Sequence, residues 1–184
     1  KNNLPIILSQ DYPDFEVVVV NDSSDDDTLS LLDEFRTKHK NLKVINLSEN
    51  LNFFKGKKFP LTVGIKSASN EHLLLTDADC KPRSSQWIRK MTGNYRKDIE
   101  VVIGYGPYEK KKGFLDKLVR YEALHVAVQY LSFAIKGMPY MGVGRNLSYV
   151  RSLFFRNKGF ISHYTVSSGD DDLFINKVAD KKNT

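Results

Sequence analysis

Four consecutive valines, Val17–Val20, run straight into the polar stretch Asn21-Asp22-Ser23-Ser24-Asp25-Asp26-Asp27-Thr28. A β-branched run without polar interruption reads as a strand covered on both faces, which points to a parallel sheet. Parallel strands need crossover connections, so the polar stretch reads as a strand-to-helix turn and the fold as α/β. Ser24 with Asp27 fits a capping box, and acids in the first turn suit the helix dipole. Asp22 stands before the helix opens, in the crevice at the carboxyl ends of strands where open α/β sheets bind ligands. It is the candidate contact for a nucleotide base.

The alternation continues. Leu29, Leu32 and Phe35 form a helix face, residues 42–47 alternate as a strand, and Leu61, Gly64, Ile65 and Ala68 recur at helical spacing. Trp87, Ile88 and Met91 mark a further helix, and Val101-Val102-Ile103 a further strand. The opening Lys1–Leu8 segment looks like an asparagine-capped helix with Pro5 in its first turn, closed by Asp11-Tyr12-Pro13. An α/β domain that opens on a helix is expected to lack its first strand. Residues 1–184 are expected to form one domain: a mixed, mainly parallel sheet flanked by helices.

The second acidic site is Asp77-Ala78-Asp79, after the apolar run Leu73-Leu74-Leu75-Thr76. Side chains two apart on a strand point the same way, so both carboxylates would reach one cation or polar ligand. Such oxygen donors suit magnesium or manganese. Between the acidic sites, Lys55-Gly56-Lys57-Lys58 opens a helix and reads as a diphosphate cradle or as solvated lysines. Later, Gly142-Val143-Gly144-Arg145-Asn146 supplies glycines that let backbone approach a ligand. Ser167-Ser168-Gly169-Asp170-Asp171-Asp172 opens a last helix whose Phe174 and Val178 share a face. Three adjacent acids are more than a cap requires.

With 41% hydrophobic and 27% charged residues in 184, the composition excludes disorder. A net charge of +6 suits nucleic acid, an anionic membrane or a phosphorylated substrate alike. The single cysteine, Cys80, excludes internal disulfides and Cys-rich zinc sites, fits a reducing compartment, and reads as a packing residue. No apolar run reaches the ~18 residues a membrane span needs. Phe114 to Lys136 breaks the alternation with one long, largely apolar helix. Burial is its expected fate, a membrane interface the alternative.

Taken in order, these blocks resemble the family 2 glycosyltransferases of GT-A fold: Leu8-Ser9-Gln10-Asp11-Tyr12-Pro13, Val20-Asn21-Asp22-Ser23-Ser24-Asp25-Asp26, Gly56-Lys57, Asp77-Ala78-Asp79, Gly142-Val143-Gly144-Arg145-Asn146 and Gly169-Asp170-Asp171-Asp172-Leu173. The resemblance implies an inverting, metal-dependent transfer from a nucleotide diphosphate sugar, UDP-linked, to an acceptor hydroxyl. Asp22 would contact uracil, Asp77 and Lys57 the nucleotide, and Asp79 with Asp77 the Mg or Mn ion. Gly144, Arg145 and Asn146 would border the acceptor, saccharide or lipid-linked, and Asp170 would be the base. Asn21-Asp22 stands where the family has an aspartate pair, and Gly169 where it has a Glu, leaving Asp171 as the alternative base. The family's first strand and a Gln-x-x-Arg-Trp-like segment after the base lack counterparts, so the chain resembles a fragment truncated at both ends. The implied setting is cytoplasmic, at the inner face of a membrane in the full-length protein, with no nucleic-acid partner.

Two other readings compete. Gly169-Asp170-Asp171 also resembles the metal-binding turn of viral RNA-dependent polymerases, and a truncated fragment would bind nucleotide or membrane without turnover.

Overall fold

The computed structural model describes residues 2–47, 56–166 and 168–184. Lys1, Lys55 and Ser167 of the motifs above lie outside the described residues. The valine run becomes β1 (Val17–Asp22), which pairs in parallel with β2 (Leu42–Leu47), from Val17 opposite Leu42 to Asp22 opposite Leu47. The crossover is α2 (Thr28–Lys38), held to the core by Leu32. A preceding short helix, α1 (Leu4–Leu8), carries Pro5 in its first turn as expected.

The second sheet is antiparallel. Its central strand, β5 (Leu147–Val150), is buried at every position and lies between β3 (His72–Leu75) and β4 (Val101–Ile103). The sheet structure is therefore mixed, with a smaller parallel share than the valine run suggests. Runs such as Leu73–Leu75 record burial on two faces but not the direction of the neighbouring strand. Helices α3 (Lys58–Ser67), α4 (Trp87–Thr92), α5 (Phe114–Ile135), α6 (Arg151–Arg156) and α7 (Asp172–Val178) complete the layers.

The core is aromatic where β5 meets α6 and α7. Phe174 is fully buried with its ring 5.0 Å from Tyr149, 5.5 Å from Phe154 and 5.7 Å from Phe160. Phe174, Ile175 and Val178 give α7 the apolar face expected from its spacing. That face pins the helix, so its acidic N-terminal end is fixed relative to the 144–146 turn.

Helix α5 departs from expectation. Only Ala127 and Tyr130 are buried, while Phe114, Leu115, Tyr121 and Ile135 are more than 60% exposed. The apolar residues encircle the helix, and one helix side meets the domain, so the remainder faces outward. Among the described residues no helix is long and apolar enough to cross a membrane.

Candidate active site

The acidic loop after β1 is organised by asparagine rather than by a capping box. Asn21 is buried and donates to Asn46 Oδ1 at 2.7 Å, while Ser24 Oγ donates to Asn21 Oδ1. Ser24 is thereby occupied, and Asp26 instead accepts from Thr28 N at 3.0 Å. This explains the departure from an aspartate pair: at position 21 a buried amide can donate and accept, whereas a carboxylate can only accept. Asp22, the next residue, is exposed at the strand's end.

Asp77 and Asp79 are brought together by a turn and not by strand alternation. Strand β3 ends at Leu75, and Cys80 N donates to Asp77 O at 3.0 Å, folding the loop back. Ligand atoms of Asp77, Asp79 and Cys80 lie within 4.8 Å of one another. Asn3, expected as a helix cap, instead donates to Ala78 O at 3.3 Å and supports this turn. Cys80 is half-buried at the cluster rather than packed in the core. Burial, then the charges of Asp79 and Asp77, pushes its thiol pKa up. The donor set fit for a hard divalent cation is therefore the oxygen pair Asp77 and Asp79, since a protonated thiol is a poor ligand for Mg or Mn.

Lys57 Nζ sits 3.0 Å from Asp77 Oδ1, with side-chain exposures of 73% and 40%. The bond to Asp77 raises its pKa, and the nearby charges of Asp170 and Asp79 add to it. One ammonium therefore senses both the acidic pair and the acid of the last helix. So exposed a pair is worth at most ~1 kcal/mol and opens easily for an anionic ligand. Lys58, expected to share the cradle, points inward.

The acids at α7 divide by role. Asp171 accepts from Gly144 N at 2.7 Å through Oδ2 and from Asp172 N at 2.8 Å through Oδ1. Both oxygens are engaged by backbone, as helix cap and as clasp on the 144–146 turn. Asp170 is half-buried, and burial, reinforced by Asp171, pushes its pKa up against the opposing fields of Lys57 and Lys58. Gly169 has φ +85°, and an added Cβ would strike Leu173 Cδ1, so a Glu does not fit this turn.

The 144–146 turn is braced on its other side. Asn146 accepts from Trp87 Nε1 at 2.9 Å and donates to Tyr105 O at 3.0 Å. Arg145 donates to Gly106 O at 2.7 Å, and its guanidinium lies 4.9 Å from the Tyr108 ring centroid. Its charge lowers the Cys80 thiol, which puts Arg145 beside the acidic turn. Gly142 is filled by Leu147 and Ile175, and Gly144 lies against Asp171. These glycines admit neighbouring side chains. Trp87 is the member sequence reasoning missed, because it reads as an ordinary helix residue; Lys58 is noticed there but placed in the cradle, and the partners of both are remote in sequence.

A family model for glycosyl transferase family 2 matches residues 6–156. The chain belongs to glycosyl transferase family 2. Poly-beta-1,6-N-acetyl-D-glucosamine synthase of Staphylococcus epidermidis is 37% identical over 79 residues, 43% of this chain and 18% of that protein. The poly(ribitol-phosphate) beta-N-acetylglucosaminyltransferase TarS of Staphylococcus aureus is 41% identical over 75 residues, 40% of this chain and 12% of that one. The solved mannosyltransferase of Pyrobaculum calidifontis, in complex with GDP-Man and Mn2+, superposes with TM-score 0.69 at 22% identity, over 97% of this chain and 48% of that one. A solved TarS fragment gives TM-score 0.60 at 24% identity, over 96% and 50%. The fold is therefore that of the GT-A glycosyltransferases, and the chain spans about half the length of these solved neighbours. Asp170–Asp172 lie beyond the stretch the family model covers.

Proposed function

We propose that this chain carries the donor and base machinery of an inverting glycosyltransferase that uses a nucleoside diphosphate sugar, UDP-linked, and a divalent cation. The observation that carries the reading is the gathering of Asp77, Asp79 and Asp170 around Lys57, within a member of this family. Asp22 contacts the base, and Asp77 and Asp79 hold Mg or Mn. When bound, that cation supplies positive charge against the diphosphate. Lys57 leaves Asp77 to meet the same phosphates.

Asp170 accepts the proton of the acceptor hydroxyl as that oxygen attacks the anomeric carbon from the face opposite the diphosphate. The bond from that carbon to the phosphate oxygen breaks, and the electron pair leaves with the nucleoside diphosphate. Asp171 is not the base in this reading, because both its oxygens are spent on backbone N–H groups. Arg145 and Asn146 border the acceptor on a braced turn. The exposed face of α5, beside Lys110, Lys111, Lys112 and Lys117, suits an anionic membrane surface and a lipid-linked acceptor.

The deciding experiment is a donor panel of UDP- and GDP-sugars, scored for binding and hydrolysis with and without manganese and in competition with RNA oligomers. Metal-dependent preference for UDP-sugars supports the reading, and preference for GDP-sugars overturns its donor assignment. Tighter binding of RNA than of any nucleoside diphosphate sinks it.

A further inference from the structure

Lys58 follows Lys57 in the chain, yet its side chain takes the opposite course. It is 5% exposed, and its Nζ donates to the carbonyls of Val166 and Ser168, each at 2.6 Å. A buried ammonium is costly unless charge and hydrogen bonds compensate it. Two carbonyl dipoles satisfy two of its three protons without neutralising it. A methionine would fill the volume without that cost, so packing alone does not account for a cation here. The full negative charges nearby belong to the acidic turn that starts two residues after Ser168.

We propose that Lys58 is a positioning residue for Asp170: it ties the segment before the acidic turn to the first turn of α3 and holds a fixed positive charge behind the carboxylate. The proposal rests on the reading of Asp170 as the base. A base must be ionised before it can accept a proton. Burial and Asp171 work against ionisation of Asp170; a hydrogen bond from its own backbone, and after it Lys57 and Lys58, work for it. Lys57 is exposed and committed to Asp77, and in the proposed mechanism to phosphate, so it is a shared cation. Lys58 is held by two short bonds to the segment that leads into the acidic turn. The other groups that sense Asp170 add no positive charge. Burial lowers the pKa of His163 and raises that of the Tyr149 phenol, leaving both neutral near neutral pH. Asp172, on the same turn, is engaged with Leu173 N.

The test is a 13C NMR titration of the aspartate carboxyl carbons in the 184-residue chain and its Lys58→Met and Lys58→Arg variants, with Asp170→Asn assigning the signal. It needs no substrate. Lys58→Met is expected to move the Asp170 titration to higher pH, and Lys58→Arg to leave it near wild type. Turnover of the Met variant should fall about tenfold at pH 6 and stay within about twofold of wild type at pH 8, with donor KM unchanged. If the Met variant does not fold, Lys58→Gln, which still donates to one carbonyl, carries the same titration. An unmoved Asp170 titration overturns the role of Lys58 and leaves the base reading intact. A moved titration with full turnover in Asp170→Asn keeps the coupling and overturns the base reading instead.

Discussion

Asp170→Asn and Asp171→Asn are isosteric changes at adjacent positions, and the structure assigns them opposite consequences. In the fold, burial and the charge of Asp171 raise the Asp170 carboxyl above its ordinary 3.8. The folded chain then binds that proton more tightly than the unfolded chain. Stability is lost as pH rises from 3.8 through the raised folded value, and the cost persists at neutral pH. Asp170→Asn removes the cost, so its Tm at pH 7 should exceed that of wild type, and the gap should close below pH 3.8. Turnover should fall by ~10²-fold or more, because the amide cannot take the proton, while donor affinity stays unchanged. Asp171→Asn behaves differently. One amide oxygen can serve Gly144 N or Asp172 N but not both, and the NH2 group faces the remaining N–H donor. Losing one charge-assisted bond costs about 2 kcal/mol, and at roughly 3 °C per kcal/mol for a chain of this size Tm should drop about 6 °C. Differential scanning fluorimetry across pH, run beside steady-state kinetics, reads all of these quantities. Asp171→Asn with wild-type Tm and abolished turnover, beside an active Asp170→Asn, would refute the assignment.

Phe174→Ala empties the centre of the aromatic cluster and should cost ~3–5 kcal/mol in urea unfolding, since a fully buried ring leaves a cavity that Tyr149, Phe154 and Phe160 close only in part. Asp79→Ala should lower nucleoside diphosphate affinity about tenfold or more and abolish its response to chelation, measured by calorimetry; equal affinities with and without metal in wild type would remove the cation from the mechanism. Asp22→Ala should narrow the difference between uridine and guanosine diphosphate affinities, a role excluded if wild type binds both equally. Leu118→Glu with Tyr121→Glu on the exposed side of α5 should weaken co-sedimentation with anionic vesicles while leaving Tm within about 2 °C, because neither residue is buried. Wild-type sedimentation of the double variant would point away from that face.

What the sequence determined is whatever repeats within one element. The run of residues 17–20 marks a strand, although the fold leaves its valines half-buried, and the spacing of Phe174 and Val178 marks which side of α7 faces inward. The acidic clusters were legible because so many adjacent carboxylates are more than a helix cap requires. What only the tertiary structure decided depends on partners distant in the chain. Asp171 is a clasp because Gly144, 27 residues away, presents its N–H there. Lys58 is buried and Lys57 exposed because carbonyls 108 and 110 residues away receive the former. Asp77 and Asp79 meet through a turn closed by Cys80 N, although strand alternation had suggested the same meeting for a different reason. Periodicity likewise showed that α5 is apolar without showing what lies against it, and the fold places only one of its sides on the core. Local pattern encodes the side chain's neighbours along its own element. The free energy that chooses among distant partners comes from burial and hydrogen bonding across elements, and only the assembled fold contains those terms.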